Sequence, residues 1–105
     1  MEELPHLLIS KLRELATIFR SFDVIHWVEW LKEDVKLIED GDLEGIHHLL
    51  SEYGGMGSIT DVFITPKAGY KIAEDDISQV NNQISSMLSE IYSNAIDIKR
   101  DQSML

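Results

Sequence analysis

The stretch Tyr53-Gly54-Gly55-Met56-Gly57-Ser58-Ile59-Thr60-Asp61-Val62-Phe63-Ile64-Thr65 decides the fold. Three of the six glycines of the chain fall within four residues of it, and glycine is costly to order unless a turn needs its freedom. Ile59, Thr60, Val62, Phe63, Ile64 and Thr65 are strand-forming residues. The segment therefore reads either as a short strand or as a helical turn capped by Ser58 and by Asp61 three positions on. A strand needs a partner, and no second stretch reads clearly as one. The helical turn is the better reading, and it makes the chain all-α. Gly54 and Gly55 then supply a left-handed cap to the preceding helix, Gly57 lets the chain turn, and Ser58 and Asp61 satisfy the orphan N–H groups at the next helix start.

Outward from the loop the apolar periodicity is helical. Leu4, Leu8, Leu12, Leu15 and Phe19 lie on one face of a first helix from Leu4 to Arg20. Leu7, Ile18 and Phe22 broaden that face, and Pro5 suits its first turn. Val24, Val28, Leu31, Val35 and Ile38 form the stripe of a second helix over 23–40, with Ser21 or Asp23 as its cap. Glu29, Lys32, Glu33, Asp34 and Lys36 are placed on its outer side. Trp27 and Trp30 flank the stripe. They are read as core residues that cannot both face fully inward. Asp40-Gly41-Asp42 stops this helix and caps a third, over 43–52, with Leu43, Ile46, Leu50 and Tyr53 inward. Pro66 and Gly69 mark a turn.

The last helix is the longest, from Glu74 or Asp75 to Arg100. Its buried face is Ile77, Val80, Ile84, Met87, Leu88, Ile91, Ala95 and Ile98, and its outer face is polar but uncharged, from Ser78, Gln79 and Asn81 to Asn94. The tail 101–105 is expected to fray. The reading is one domain over 1–105, a compact bundle of four to five helices with a long C-terminal helix and a glycine-rich loop.

Nineteen acids against nine bases give a net charge of −10. From Asp23 to Asp61 there are ten acids opposed only by Lys32 and Lys36. Such a field repels nucleic acid and anionic membrane and attracts basic protein surfaces. No run is long and apolar enough to span a membrane. Met1-Glu2-Glu3 lacks the basic and apolar regions of a signal peptide, so a cytoplasmic location is expected. The chain has no cysteine, which excludes disulfides and thiolate sites.

Chemistry is thinly represented. His26 with Glu29, and Glu44 with His47, are single copies of a ligand spacing that di-metal bundles use twice, so no metal or other cofactor is expected. Asp61, His47 and His48 near the loop are the only acid–base candidates. Ser58 lacks the Gly-x-Ser-x-Gly elbow, and Gly54-Gly55-Met56-Gly57-Ser58 lacks the lysine of a phosphate loop. The chain is therefore not expected to be an enzyme, and no catalytic residue is assigned.

The run Tyr53–Val62, preceded by the 43–50 helix and a tryptophan-containing helix, resembles a small bacterial family of uncharacterised helical domains with a Gly-Gly-Met-Gly-Ser-x-x-Asp signature. The resemblance covers roughly residues 24–65 and implies no activity. By size, charge and class the chain also looks like the immunity proteins that neutralise bacterial toxins. That likeness implies a basic partner, a cognate toxin domain such as a nuclease, held through Trp30, Glu33, Asp34, Asp40, Asp42, Glu44 and Met56. The alternative is a regulatory or adaptor module that forms a homodimer through its long last helix.

Overall fold

The computed structural model describes residues 3–54 and 56–103. Four α-helices carry the fold: α1 Glu3–Ser21, α2 Ile25–Glu39, α3 Glu44–Ser51 and α4 Ile77–Ser103. Short 3₁₀ turns at Ile59–Asp61, Pro66–Ala68 and Glu74–Asp76 punctuate the segment between α3 and α4. No strand occurs among the described residues, and none of these helices is long and apolar enough to cross a membrane. The fold is the all-α bundle expected, with α4 as its longest member.

Where the helices end departs from expectation in instructive ways. Asp23 does not cap α2. It adopts a left-handed conformation at φ 61°, and the N–H groups of Asp23 and Val24 close onto the carbonyls of Arg20 and Phe19. That paired pattern terminates α1, while the Ser21 hydroxyl donates back to the Ile18 carbonyl. Val24 is left at the start of α2 with no side-chain cap. Between α2 and α3 the expected punctuation holds. Gly41 takes the left-handed position at φ 76°, and the Asp42 carboxylate accepts the Glu44 N–H at 2.9 Å. At the far end, α4 continues through Ser103 rather than fraying from Asp101, since Asp101-Gln102-Ser103 contains no glycine or proline to stop it. Residues 104 and 105 lie outside the described residues.

The core lies where α1 packs against both α2 and α4, with α3 closing it. Leu8, Leu12, Leu15 and Phe19 of α1 meet Ile84, Leu88, Ile91, Ala95 and Ile98 of α4, all buried. Leu7, read as part of the buried face, is exposed, and Ile9 and Ala16 are buried instead. Leu43 is also exposed, because it stands one residue before α3 begins. Leu49 holds the core position on that helix.

The segment that decides the fold is a hybrid. Ile59–Asp61 is a 3₁₀ turn and Val62 is already extended. The stretch around Ile64 avoids the backbone cost of a lone strand through one side chain. Asn81 accepts the Ile64 N–H and donates to the Ile64 carbonyl, both at 2.8 Å, and also donates to the Ile77 carbonyl. Asn81, read as a member of the outer face of α4, is thus the partner that lets buried Ile64 sit in extended chain. The capping of the 3₁₀ turn is also shifted. The Ser58 hydroxyl bonds Thr60 rather than a backbone N–H, and the Asp61 carboxylate reaches back to the Gly57 N–H at 2.7 Å. Gly54 and Gly57 have positive φ, 84° and 78°, as a loop of this tightness requires. Gly55 lies outside the described residues.

Candidate functional site

The buried face of α2 is Val28, Leu31, Asp34, Val35 and Ile38. Asp34 falls three residues after Leu31 and four before Ile38, in phase with the apolar stripe, and it is fully buried. Its placement on the outer side, and among partner contacts, is therefore corrected: a residue in that phase cannot meet another protein. What it meets is α3. The two helices approach closely at Gly45, where an added Cβ would stand 2.8 Å from Leu37 Cβ and 2.9 Å from Ile38 Cγ1. This contact sets α3 tightly against α2.

His48 of α3 and Glu52, the residue that caps the C-terminal end of α3, face Asp34 across that seam. His48 Nδ1 is 2.5 Å from Asp34 Oδ1 and 3.3 Å from Glu52 Oε2. The Glu52 backbone is held at both polar groups, its N–H on the Leu49 carbonyl and its carbonyl on the Ile59 N–H at 2.9 Å. The glycine loop is thereby pinned to the residue that carries the buried carboxyl. Trp30, one turn before Asp34 on α2, stacks on the His48 ring at 4.7 Å and 26°. Trp27 and His26 extend this ring cluster toward the start of α2.

The electrostatics are unusual for a small domain, because acids are rarely buried unless paired. Glu52 is 2 % exposed. Burial is the main cause that pushes its carboxyl up to about 10, and the adjacent Asp34 and then Glu33 add to the rise. Burial also raises Asp34, against the opposing pull of Glu52 and His48. The two carboxyls are within hydrogen-bonding reach of each other, so the Glu52 proton can be shared with Asp34. With both ionised, Asp34 Oδ2 and both Glu52 oxygens are buried without a partner. One imidazole nitrogen and one oxygen from each carboxyl lie within 4.8 Å of one another, so the seam gathers an N,O,O donor set. Tyr53, next in sequence, turns away to α4, where its hydroxyl donates to the Leu88 carbonyl at 2.7 Å and burial raises its phenol.

The other positions read as partner contacts are accessible but dispersed. Glu33, Asp40, Asp42 and Glu44 are exposed, Met56 is fully exposed, and Trp30 is half-buried against His48. Trp30 and Glu33 belong to the first half of α2, whereas Asp40, Asp42 and Glu44 surround the α2–α3 turn. Ten residues of helix separate Trp30 from Asp40, roughly 15 Å. The pairs weighed as metal ligands, His26 with Glu29 and Glu44 with His47, are exposed and do not form the cluster. The cluster carried two sequence signals: a charge in phase with the α2 stripe, and a His-x-x-x-Glu spacing that puts His48 and Glu52 on one helical face.

Fold and site together define a small all-α domain with a histidine–dicarboxylate cluster buried between its second and third helices. Residues 20–73, just over half the chain, match a family described as a domain of unknown function (DUF6966), and the chain belongs to that family. The matched segment contains Asp34, His48, Glu52 and the glycine loop, and it stops before α4. Comparison with curated proteins and with solved structures finds no match.

Proposed function

We propose that this chain is a cytoplasmic protein-binding inhibitor of the immunity type, which docks an acidic surface on one basic protein, such as a nuclease toxin domain, and does no chemistry of its own. The observation that carries the reading is the α2–α3 turn. There Leu43 is exposed between Asp40, Asp42 and Glu44, and the Asp42–Glu44 hydrogen bond fixes the turn. An apolar anchor ringed by charges of one sign suits a basic partner with an apolar pocket. Eight of the ten acids between Asp23 and Asp61 are exposed, and their field speeds encounter with a basic surface. A standard interface takes about 800 Å² per partner.

The test is capture of host protein by the tagged chain at low and at moderate salt, beside a variant with Asp40, Asp42 and Glu44 all changed to Lys. One basic protein held near one-to-one by the parent, and released by the variant, supports the reading. Equal retention by both overturns it. A second reading, self-association, is favoured by a groove on α4 where Phe63 and Tyr92 are both exposed. Sedimentation separates the two, since a stable dimer supports this reading and a monomer opposes it.

A further inference from the structure

We propose that Asp34, His48 and Glu52 bind one divalent transition-metal ion, of the Zn²⁺ or Co²⁺ kind, in the seam between α2 and α3. Three carboxylate oxygens, Asp34 Oδ2 and Glu52 Oε1 and Oε2, are buried with no hydrogen-bond partner, on side chains that are themselves 0 % exposed. A proton shared between the two carboxyls satisfies two of these oxygens, one as donor and one as acceptor, and leaves one orphaned, at the cost that a buried unpaired polar atom carries. A divalent cation answers several oxygens at once and, by displacing the Glu52 proton, would be held by both carboxylates.

The geometry is close to what such an ion needs. Ligand atoms about 2.1 Å from a tetrahedral centre stand roughly 3.4 Å apart. His48 Nδ1 and Glu52 Oε2 are 3.3 Å apart, and one ligand atom from each residue lies within a common 4.8 Å span. The 2.5 Å contact between His48 Nδ1 and Asp34 Oδ1 is a hydrogen bond that the ion would replace, with a small rotation of the aspartate. The imidazole selects the ion class, since Mg²⁺ and Ca²⁺ prefer all-oxygen shells whereas Zn²⁺ and its neighbours take mixed nitrogen and oxygen. Three protein ligands leave one position for water. The imidazole side chain is 31 % exposed, which provides a route in, and Trp30 lies over its ring as a built-in reporter.

The experiment uses untagged full-length chain stripped with chelator, titrated with Zn²⁺ by calorimetry and with Co²⁺ by visible absorption and tryptophan fluorescence. The expected result is one ion per chain and quenching by Co²⁺ that is largely lost in Trp30→Phe. Glu52→Gln keeps the shape of the side chain but removes the charge, and it should weaken binding at least about a hundredfold while leaving the helical circular dichroism intact. His47→Ala, at an exposed histidine outside the cluster, should bind as the parent does. Absence of saturable binding by either metal overturns the proposal. So does equal affinity in parent and Glu52→Gln, which would assign the ion to surface groups. The proposal is independent of the inhibitor reading, because no partner protein enters the assay.

Discussion

Two of the seams in this bundle differ in what they bury. The fully buried side chains that α1 and α4 contribute are all apolar, with Lys11 and Glu90 paired across the rim of their seam. The seam between α2 and α3 surrounds two carboxyls and an imidazole with Leu31, Val35, Ile46 and Leu49. The first converts chain length into stability by removing hydrocarbon from water. The second gives up stability, because it takes two neighbouring carboxyls out of water. A small domain that places its charges in one seam and keeps the other dry can tolerate the loss.

The largest effect is expected at the dry seam. Phe19→Ala removes a fully buried ring and should cost about 3–5 kcal/mol in chemical denaturation. A loss below about 1 kcal/mol would mean that α1 and α4 do not carry the fold. The polar seam should respond with the opposite sign. With Glu52 protonated in the folded chain up to about 10 and ionising in the unfolded chain near 4.5, the folded state holds one more proton across that window. Stability of the metal-free protein is then fully present below pH 4.5 and falls as pH rises toward 10. Glu52→Gln should therefore raise stability at neutral pH by about 1–3 kcal/mol and flatten the decline. Denaturation midpoints at several pH values, in chelator, read both effects, and a parent whose stability rises from pH 5 to 8 would contradict this account of the seam.

Smaller effects sharpen the contrast. Gly45→Ala places a methyl where Leu37 and Ile38 already stand and should cost about 1–3 kcal/mol through overpacking. If the seam geometry depends on that approach, the variant should also weaken the stacking of Trp30 on His48, seen as a shift in tryptophan emission. The smallest effect is expected at the rim of the dry seam. Lys11→Ala breaks a pair whose glutamate is 54 % exposed, and thermal denaturation should show a change within about 1 kcal/mol that shrinks further in high salt.

Much of the fold was legible because helices are written in local periodicity. The stripes Leu8–Leu12–Leu15–Phe19 and Ile84–Leu88–Ile91–Ala95–Ile98 mark buried faces at spacings of three and four, and Gly41 with Asp42 punctuates the α2–α3 turn in sequence order. Asp23 misled because aspartate suits both the start of a helix and the left-handed position that ends one; only the hydrogen bonds to Phe19 and Arg20 show which role won. The site was less legible. Attention went to the glycine loop because glycines are conspicuous, whereas Asp34 reads as one acid among many until its phase with Leu31, Val35 and Ile38 is followed.

By itself the sequence determined an all-α bundle of four to five helices, most of the buried faces of the first and last, and a net negative charge, since these depend on residues a few positions apart or on sums over the chain. Tertiary structure alone decided that Asp34 meets His48 and Glu52, fourteen and eighteen residues on, and that Asn81 satisfies the backbone of Ile64 from seventeen residues away. Those meetings depend on how closely and in what rotation two helices dock. The close approach at Gly45 and the path of the loop set that rotation, and no periodicity along one helix encodes it.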